Sequence, residues 1–181
     1  MMHGTEAPSY WVQKWSHLAK PQSQVLDLAC GAGRHMQYFK SQGHHCTGVD
    51  RSAEALAEAA AHGRVLAADI EGGPWPLSGQ TFDVVVVTNY LWRPLMPQIL
   101  ASLAPEGLLI YETFAMGHEK IGKPSRPDFL LQPGELLRTF APLRVIAYED
   151  GYCEQPAKYI QRMVAVRQVA NQDGQFCLSS R

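Results

Sequence analysis

Cysteine is scarce: Cys30, Cys46, Cys153 and Cys177 are the four in 181 residues, and no two form a CxxC pair. That spacing argues against a disulfide framework and a structural zinc site, and it implies reduced thiols. Long apolar runs are missing too, and none approaches the ~18 residues of a membrane span. The opening MMHGTEAPSYWVQKW lacks the basic start and apolar core of a secretory leader, so the expected setting is cytoplasmic, with no membrane partner. Excess charge is absent. The formal net charge of −1 gives no broad nucleic-acid footprint. No repeat or low-complexity block interrupts the chain. A single domain over 1–181 is expected, with 1–20 as an N-terminal helical extension, loose over 1–9, and 169–181 as a mobile tail.

What is present is an alternation of short apolar strands and helices. Tyr10, Trp11, Trp15 and Leu18 fall at helical spacing. Val25 to Leu28 is a buried strand, Gly31 to Gly33 a turn, and 34–42 a helix ended by Gly43. Strands over Cys46–Val49 and Val65–Ala68 flank an alanine-rich helix, 53–61, capped by Ser52. After a Gly- and Pro-rich loop, Phe82–Val87 is all apolar, as in a strand covered on both faces. Leu91, Leu95, Ile99, Leu100 and Leu103 trace a helical stripe, and Leu108–Tyr111 is the fifth strand. A helix near Leu136, Leu137 and Phe140 precedes a hairpin of strands over 144–149 and 159–166. The pattern predicts an α/β fold: a doubly wound, mostly parallel seven-stranded sheet with a C-terminal antiparallel hairpin and helices on both faces. Ligands of such sheets sit beyond the strand ends, at the switch point beside strand one.

Val25-Leu26-Asp27-Leu28-Ala29-Cys30-Gly31-Ala32-Gly33-Arg34 runs strand, glycine turn, helix. Gly31 and Gly33 let a ligand approach closely, with Ala29 beside them as a further cofactor-binding position, and the helix amino end favours a carboxylate. Asp27 sets a negative charge beside it. A ligand with both an ammonium and a carboxylate matches that pairing. Asp50, with Arg51 beside it, ends the second strand and can accept two ribose hydroxyls. Asp69 ends the third and can accept an adenine amino group, while the backbone of Ile70 meets the ring edge. The rival is a nicotinamide-dependent oxidoreductase. Its G-x-G-x-x-G turn needs a third glycine where this chain has Met36, and Asp27 would repel a diphosphate.

These segments, with TGVDRS, LAADIE, FDVVVVTNYL and LAPEGLLI, resemble the class I S-adenosylmethionine-dependent methyltransferases from Val25 to about Val166. Within that class the chain looks like the small TehB-like branch. Glu106 stands where the family's turn before strand five has a glycine. The resemblance implies S-adenosylmethionine as cofactor and S-adenosylhomocysteine as product. It assigns Asp27, Gly31 and Gly33 to the methionine end, Asp50 to the ribose, and Asp69 with Ile70 to the adenine.

The acceptor is expected beyond strand four, where Asn89 and Tyr90 lie near the reactive methyl and Tyr90, Trp92 and Arg93 form walls. The alternative for Trp92 is helix packing. The loop over 115–129 reads as a lid or as a solvated surface loop. In it, His118 or Glu119 can serve as a general base, as can Glu112 on the strand before, while Lys123 and Arg126 can hold an anionic group. His44 and His45 read as a surface pair with no metal, His35 as an exposed helix residue, and Cys30 as packing. The expected activity is methyl transfer to a small molecule by in-line displacement. An RNA or protein methyltransferase and a non-catalytic cofactor-binding scaffold or subunit remain alternatives. Monomer and homodimer both stay open.

Overall fold

The computed structural model describes residues 7–170 and 174–178. Its sheet has seven strands: β1 (Gln24–Leu28), β2 (His45–Asp50), β3 (Arg64–Ala67), β4 (Phe82–Thr88), β5 (Leu103–Phe114), β6 (Arg144–Glu154) and β7 (Ala157–Val166). Their order is β3-β2-β1-β4-β5-β7-β6. The first five are parallel, and β7 runs antiparallel to both β5 and β6. The chain changes direction across the sheet between β1 and β4, which creates the expected switch point.

Side chains alternate faces along each strand, so the sequence parity sorts the core into two layers. Val25, Val84, Val86, Leu108, Ile110 and Val164 face one way. There they meet α1 (Tyr10–Trp15), α2 (Arg34–Ser41) and α3 (Ala53–Ala59) through Trp11, Trp15, Met36, Phe39 and Leu56. Leu26, Leu28, Val85, Val87, Leu109 and Tyr111 face the other way. Their partners are Met96 and Ile99 of α4 (Met96–Ala101) and Leu136 of α5 (Glu135–Thr139). The Ser9 hydroxyl caps α1 by accepting from the N–H groups of Trp11 and Val12.

Several boundaries differ from expectation. The crossover from β3 to β4 does not differ: it is the expected Gly- and Pro-rich loop, turn-rich and anchored by the buried Leu77. The stripe from Leu91 to Leu103 is helical only from Arg93 to Ala101, and Leu103 already pairs with Phe82 in the sheet. β6 continues through Asp150-Gly151-Tyr152, leaving Gln155-Pro156 as the hairpin turn. Much of the loose start and of the tail expected to be mobile lies outside the described residues. The described tail is docked, with Phe176 under the Arg144 guanidinium and Cys177 O bonded to the His17 ring. Glu106 takes φ 61°, the left-handed backbone a glycine would adopt freely, and its N–H donates to Arg167 O. Among the described residues no helix is long and apolar enough to cross a membrane.

Candidate active site

The chain leaves β1 through Ala29 at φ 53° and leaves β4 through Asn89 at φ 54°. These strands are neighbours, so two non-glycine residues in the left-handed region flank the switch point. Each costs about 1–3 kcal/mol, and such strain concentrates at functional sites. Asn89 is held there by its N–H donating to Glu112 O at 2.9 Å. A cavity of about 1050 Å³ opens between the tips. Ala29, Gly31, Asn89 and Tyr90 line one end, and Glu112, Phe114, His118, Lys123, Lys158 and Arg162 line the other.

The glycine turn is tied to the second strand. Gly31, at φ 54°, donates its N–H to Asp50 Oδ2 at 2.9 Å, and Ser52 N–H donates to Oδ1 at the same distance. Gly33 does a different job from the one expected and does not line the cavity. A Cβ there would come within 2.9 Å of Ala59 Cβ, so Gly33 lets α2 and α3 touch. Met36 fits in the place of a third glycine because the strand it faces carries Gly48 opposite it. A Cβ on Gly48 would lie 2.7 Å from Cys30 Sγ and collide with Met36 Sδ.

Asp27 and His35 overturn their expected settings. Parity sends Asp27 to the α2 side of β1, and both are buried, at 1% and 2% exposure. His35 is therefore not an exposed helix residue. Its Nε2 accepts from Ser9 N–H at 3.1 Å, so the ring proton sits on Nδ1, 3.9 Å from Asp27 Oδ2. That Oδ2 has no hydrogen-bond partner among the described residues. Burial pushes the Asp27 pKa up to about 7 and the His35 pKa down to about 3. Asp27 therefore does not line the cavity, and burial disfavours the negative charge expected beside the glycine turn. The argument against a diphosphate rests on Met36 instead.

Asp69 forms a turn: its Oδ1 accepts the N–H groups of Glu71 and Gly72, which hold its pKa down. Ile70 packs against the core, Arg51 and Asp69 are exposed, and none of these three, nor Asp50, is among the residues that line the cavity. Tyr90 Oη is buried without a hydrogen-bond partner among the described residues. Burial, then the Glu71 carboxylate, raises its pKa. The Tyr111 hydroxyl donates to Tyr90 O at 2.9 Å and fixes that tip.

At the other end Glu112 is 4% exposed. It accepts from the Ser9 hydroxyl at 3.0 Å and pairs with Arg162 at 3.3 Å and Lys158 at 3.6 Å. The buried His118 has both ring nitrogens engaged. Nδ1 accepts from Tyr159 N–H at 3.4 Å, leaving Nε2 to donate to Lys123 O at 3.1 Å. Glu119 is turned back on Gly117 N–H, and Arg126 pairs with Asp128 in solvent. Neither lines the cavity, and neither does Trp92, which packs on the core. Arg93 does not line it either: its guanidinium is spent on both Glu135 oxygens, Asp128 O and Leu130 O. Burial raises the Glu135 pKa, but the bonds from Arg93 and from Gln132 N–H outweigh it and hold the carboxyl below its usual value. The structure thus brings together Ala29, Gly31, Asn89, Tyr90, Glu112, His118 and Lys123. Ser9, Glu71, Lys158 and Arg162 line the cavity with no prior expectation. Lys158 and Arg162 carried a usable signal, as two cations at even spacing in a largely apolar strand. Among the described residues no cluster could hold a metal ion.

Residues 25–107 match the family model described as a methyltransferase domain. A malonyl-[acyl-carrier protein] O-methyltransferase of Pectobacterium atrosepticum is 34% identical over 102 residues, covering 52% of this chain and 40% of the relative. The chain thus spans about two fifths of the length of the curated relatives it matches. Among solved structures, TehB from Haemophilus influenzae aligns with TM-score 0.69 and 18% identity, over 84% of this chain and 59% of that one. The plantazolicin methyltransferase BpumL, solved with S-adenosylhomocysteine, aligns at 0.62 and 16%, over 88% and 80%. At these identities the likeness to TehB is one of fold, without resolving a branch. The described chain has the fold of these methyltransferase structures, and residues 25–107 match the methyltransferase-domain model.

Proposed function

We propose that this chain binds S-adenosylmethionine at the β1–β4 switch point and moves its methyl group to a small-molecule acceptor. The observation that carries the reading is the pair of left-handed strand tips, Ala29 and Asn89, opening on one cavity beside the Gly31–Asp50 bond. The residues fit that cofactor. Asp50 gives one lone pair on each oxygen to the backbone and keeps two for ribose hydroxyls. Both backbone bonds of Asp69 fall on Oδ1, which leaves Oδ2 for an adenine amino group. The volume of about 1050 Å³ sits at the top of the ~300–1,000 Å³ range of ligand pockets, room for a second molecule beside the nucleoside.

When bound, the cofactor supplies a methyl carbon already attached to a good leaving group. The chain's part is then to position and to keep water out. Asn89 and Tyr90, held by Glu112 O and the Tyr111 hydroxyl, border the place where donor and acceptor meet. Phe114, Phe129 and Pro156 wall the acceptor side. A second reading, an acceptor carried on an acyl carrier protein, is favoured by what the curated relatives act on. Calorimetry with S-adenosylhomocysteine tests the donor site, and a clear isotherm is expected. Methyl-labelled donor incubated with metabolite, RNA and protein fractions tests the acceptor, with label expected among the metabolites. Heat with NADH alone, or binding without transfer to any fraction, overturns the donor reading or the enzymatic one respectively.

A further inference from the structure

We propose that the methyl acceptor is a small anion seated between Lys123 and Lys158. The inference rests on the donor reading above and deepens it. Three cations, Lys123, Lys158 and Arg162, line the acceptor end of the cavity against one carboxylate, Glu112. Glu112 already faces two of them. Arg162 is also paired with Glu149 of β6 at 2.7 Å, so this end carries three cations against two carboxylates. A positive surplus is left at this end. A sulfonium donor adds to it, and only an acceptor of negative charge balances it.

One imidazole brings the two lysines to the same opening. His118 donates to the carbonyl of Lys123 and accepts from the amide of Tyr159, the neighbour of Lys158. The turn that carries Lys123 is thereby tied to the strand that carries Lys158. The ring contact of His118 with Phe114, 4.4 Å between centroids, sets an apolar wall next to the pair.

The chemistry at this end agrees. Both nitrogens of His118 are engaged, and Glu112 is held by Ser9, Lys158 and Arg162, so neither of these lining residues is free to take a proton. An anionic acceptor has no proton to lose. Its lone pair forms the bond to the methyl carbon as the carbon–sulfur bond breaks. The electron pair goes to sulfur, leaving a neutral thioether and a methylated acceptor with one negative charge fewer. Lys123 and Lys158 supply charge-assisted hydrogen bonds that position the anion.

The test divides a protein-free metabolite extract on an anion exchanger and incubates each fraction with the protein and methyl-labelled S-adenosylmethionine. Label is expected in products of the retained fraction. The Lys123→Met and Lys158→Met variants should each raise KM for that fraction about tenfold or more, the weight of a lost charge-assisted bond. Their affinity for S-adenosylhomocysteine should stay within about threefold, and Lys158→Arg should recover most of the loss. Label only from the unretained fraction, only in protein run in parallel, or from no fraction overturns the proposal. Unchanged KM in both methionine variants does so too. Failure of the unsubstituted protein to bind S-adenosylhomocysteine overturns the donor reading itself, and calorimetry reports that separately.

Discussion

Asp27 and His35 hold their neutral forms for the same reason, burial between β1 and α2. Unfolded, between about pH 4 and 6.5, the carboxyl has lost its proton and the imidazole has gained one. Folded, the carboxyl keeps its proton and the imidazole lacks one. The two states bind equal numbers of protons, so the pair adds no slope to stability over that window. Removing one partner should reveal the other. In Asp27→Asn, His35 remains with a pKa lowered to about 3, and the unfolded state binds the extra proton. Stability should then rise from pH 3 to 6.5. In His35→Gln, Asp27 remains with a pKa raised to about 7, and stability should fall from pH 4 to 7. Urea midpoints against pH read both, and slopes of one sign would contradict the account. Asp50→Ala should act on ligand and fold together, since two N–H groups lose their acceptor. A loss of about 1–3 kcal/mol in urea unfolding and no detectable S-adenosylhomocysteine isotherm are expected. The carboxylate at the end of the second strand could be read from its place after an apolar run. The burial of Asp27 was also open to parity, but the burial of His35 was not. It depends on which face α2 turns to the sheet and on Ser9 arriving from a separate segment.

Arg93 shows how a loop becomes an element. Its guanidinium makes four hydrogen bonds that join α5, through Glu135, to the backbone of the segment that ends the 115–129 loop. A lysine cannot reproduce that fork. Arg93→Lys should cost about 2 kcal/mol and raise hydrogen exchange over 118–131 while leaving that of β1 and β4 unchanged. A uniform rise across the sheet would deny the clamp. Strand cores and the glycine turn were legible, because apolar runs and parity carry them. Element ends were not. Leu103 continues a helical stripe in sequence but is taken by the sheet, through its pairing with Phe82. Asp150 and Gly151 look like a turn yet pair with Gln161 and Ile160, since the long hairpin outweighs local preference. Arg93 likewise carries the charge of a ligand-binding residue, and only the tertiary partners show that it is used up.

Across the molecule, fold class followed from the alternation of strands and helices and from the closing hairpin. The acceptor end did not, because it is assembled from β5, β7, an intervening loop and the arm before α1, segments 103 residues apart at Ser9 and Glu112. Filling the donor end should stabilise the whole domain. At a hundredfold excess over Kd, S-adenosylhomocysteine should add about 2.7 kcal/mol and raise Tm by roughly 5–10 °C, with no shift from NADH.

Ala29 and Asn89 set two demands against each other. Ala29→Gly or Asn89→Gly relieves a backbone that L side chains resist, so either replacement, judged by shelf life or melting alone, would look like an improvement. Each would also loosen the rim that shapes the ligand's seat. A screen for ruggedness would therefore select against grip on the nucleoside, and the hardiest variants of this protein should be among its poorest binders.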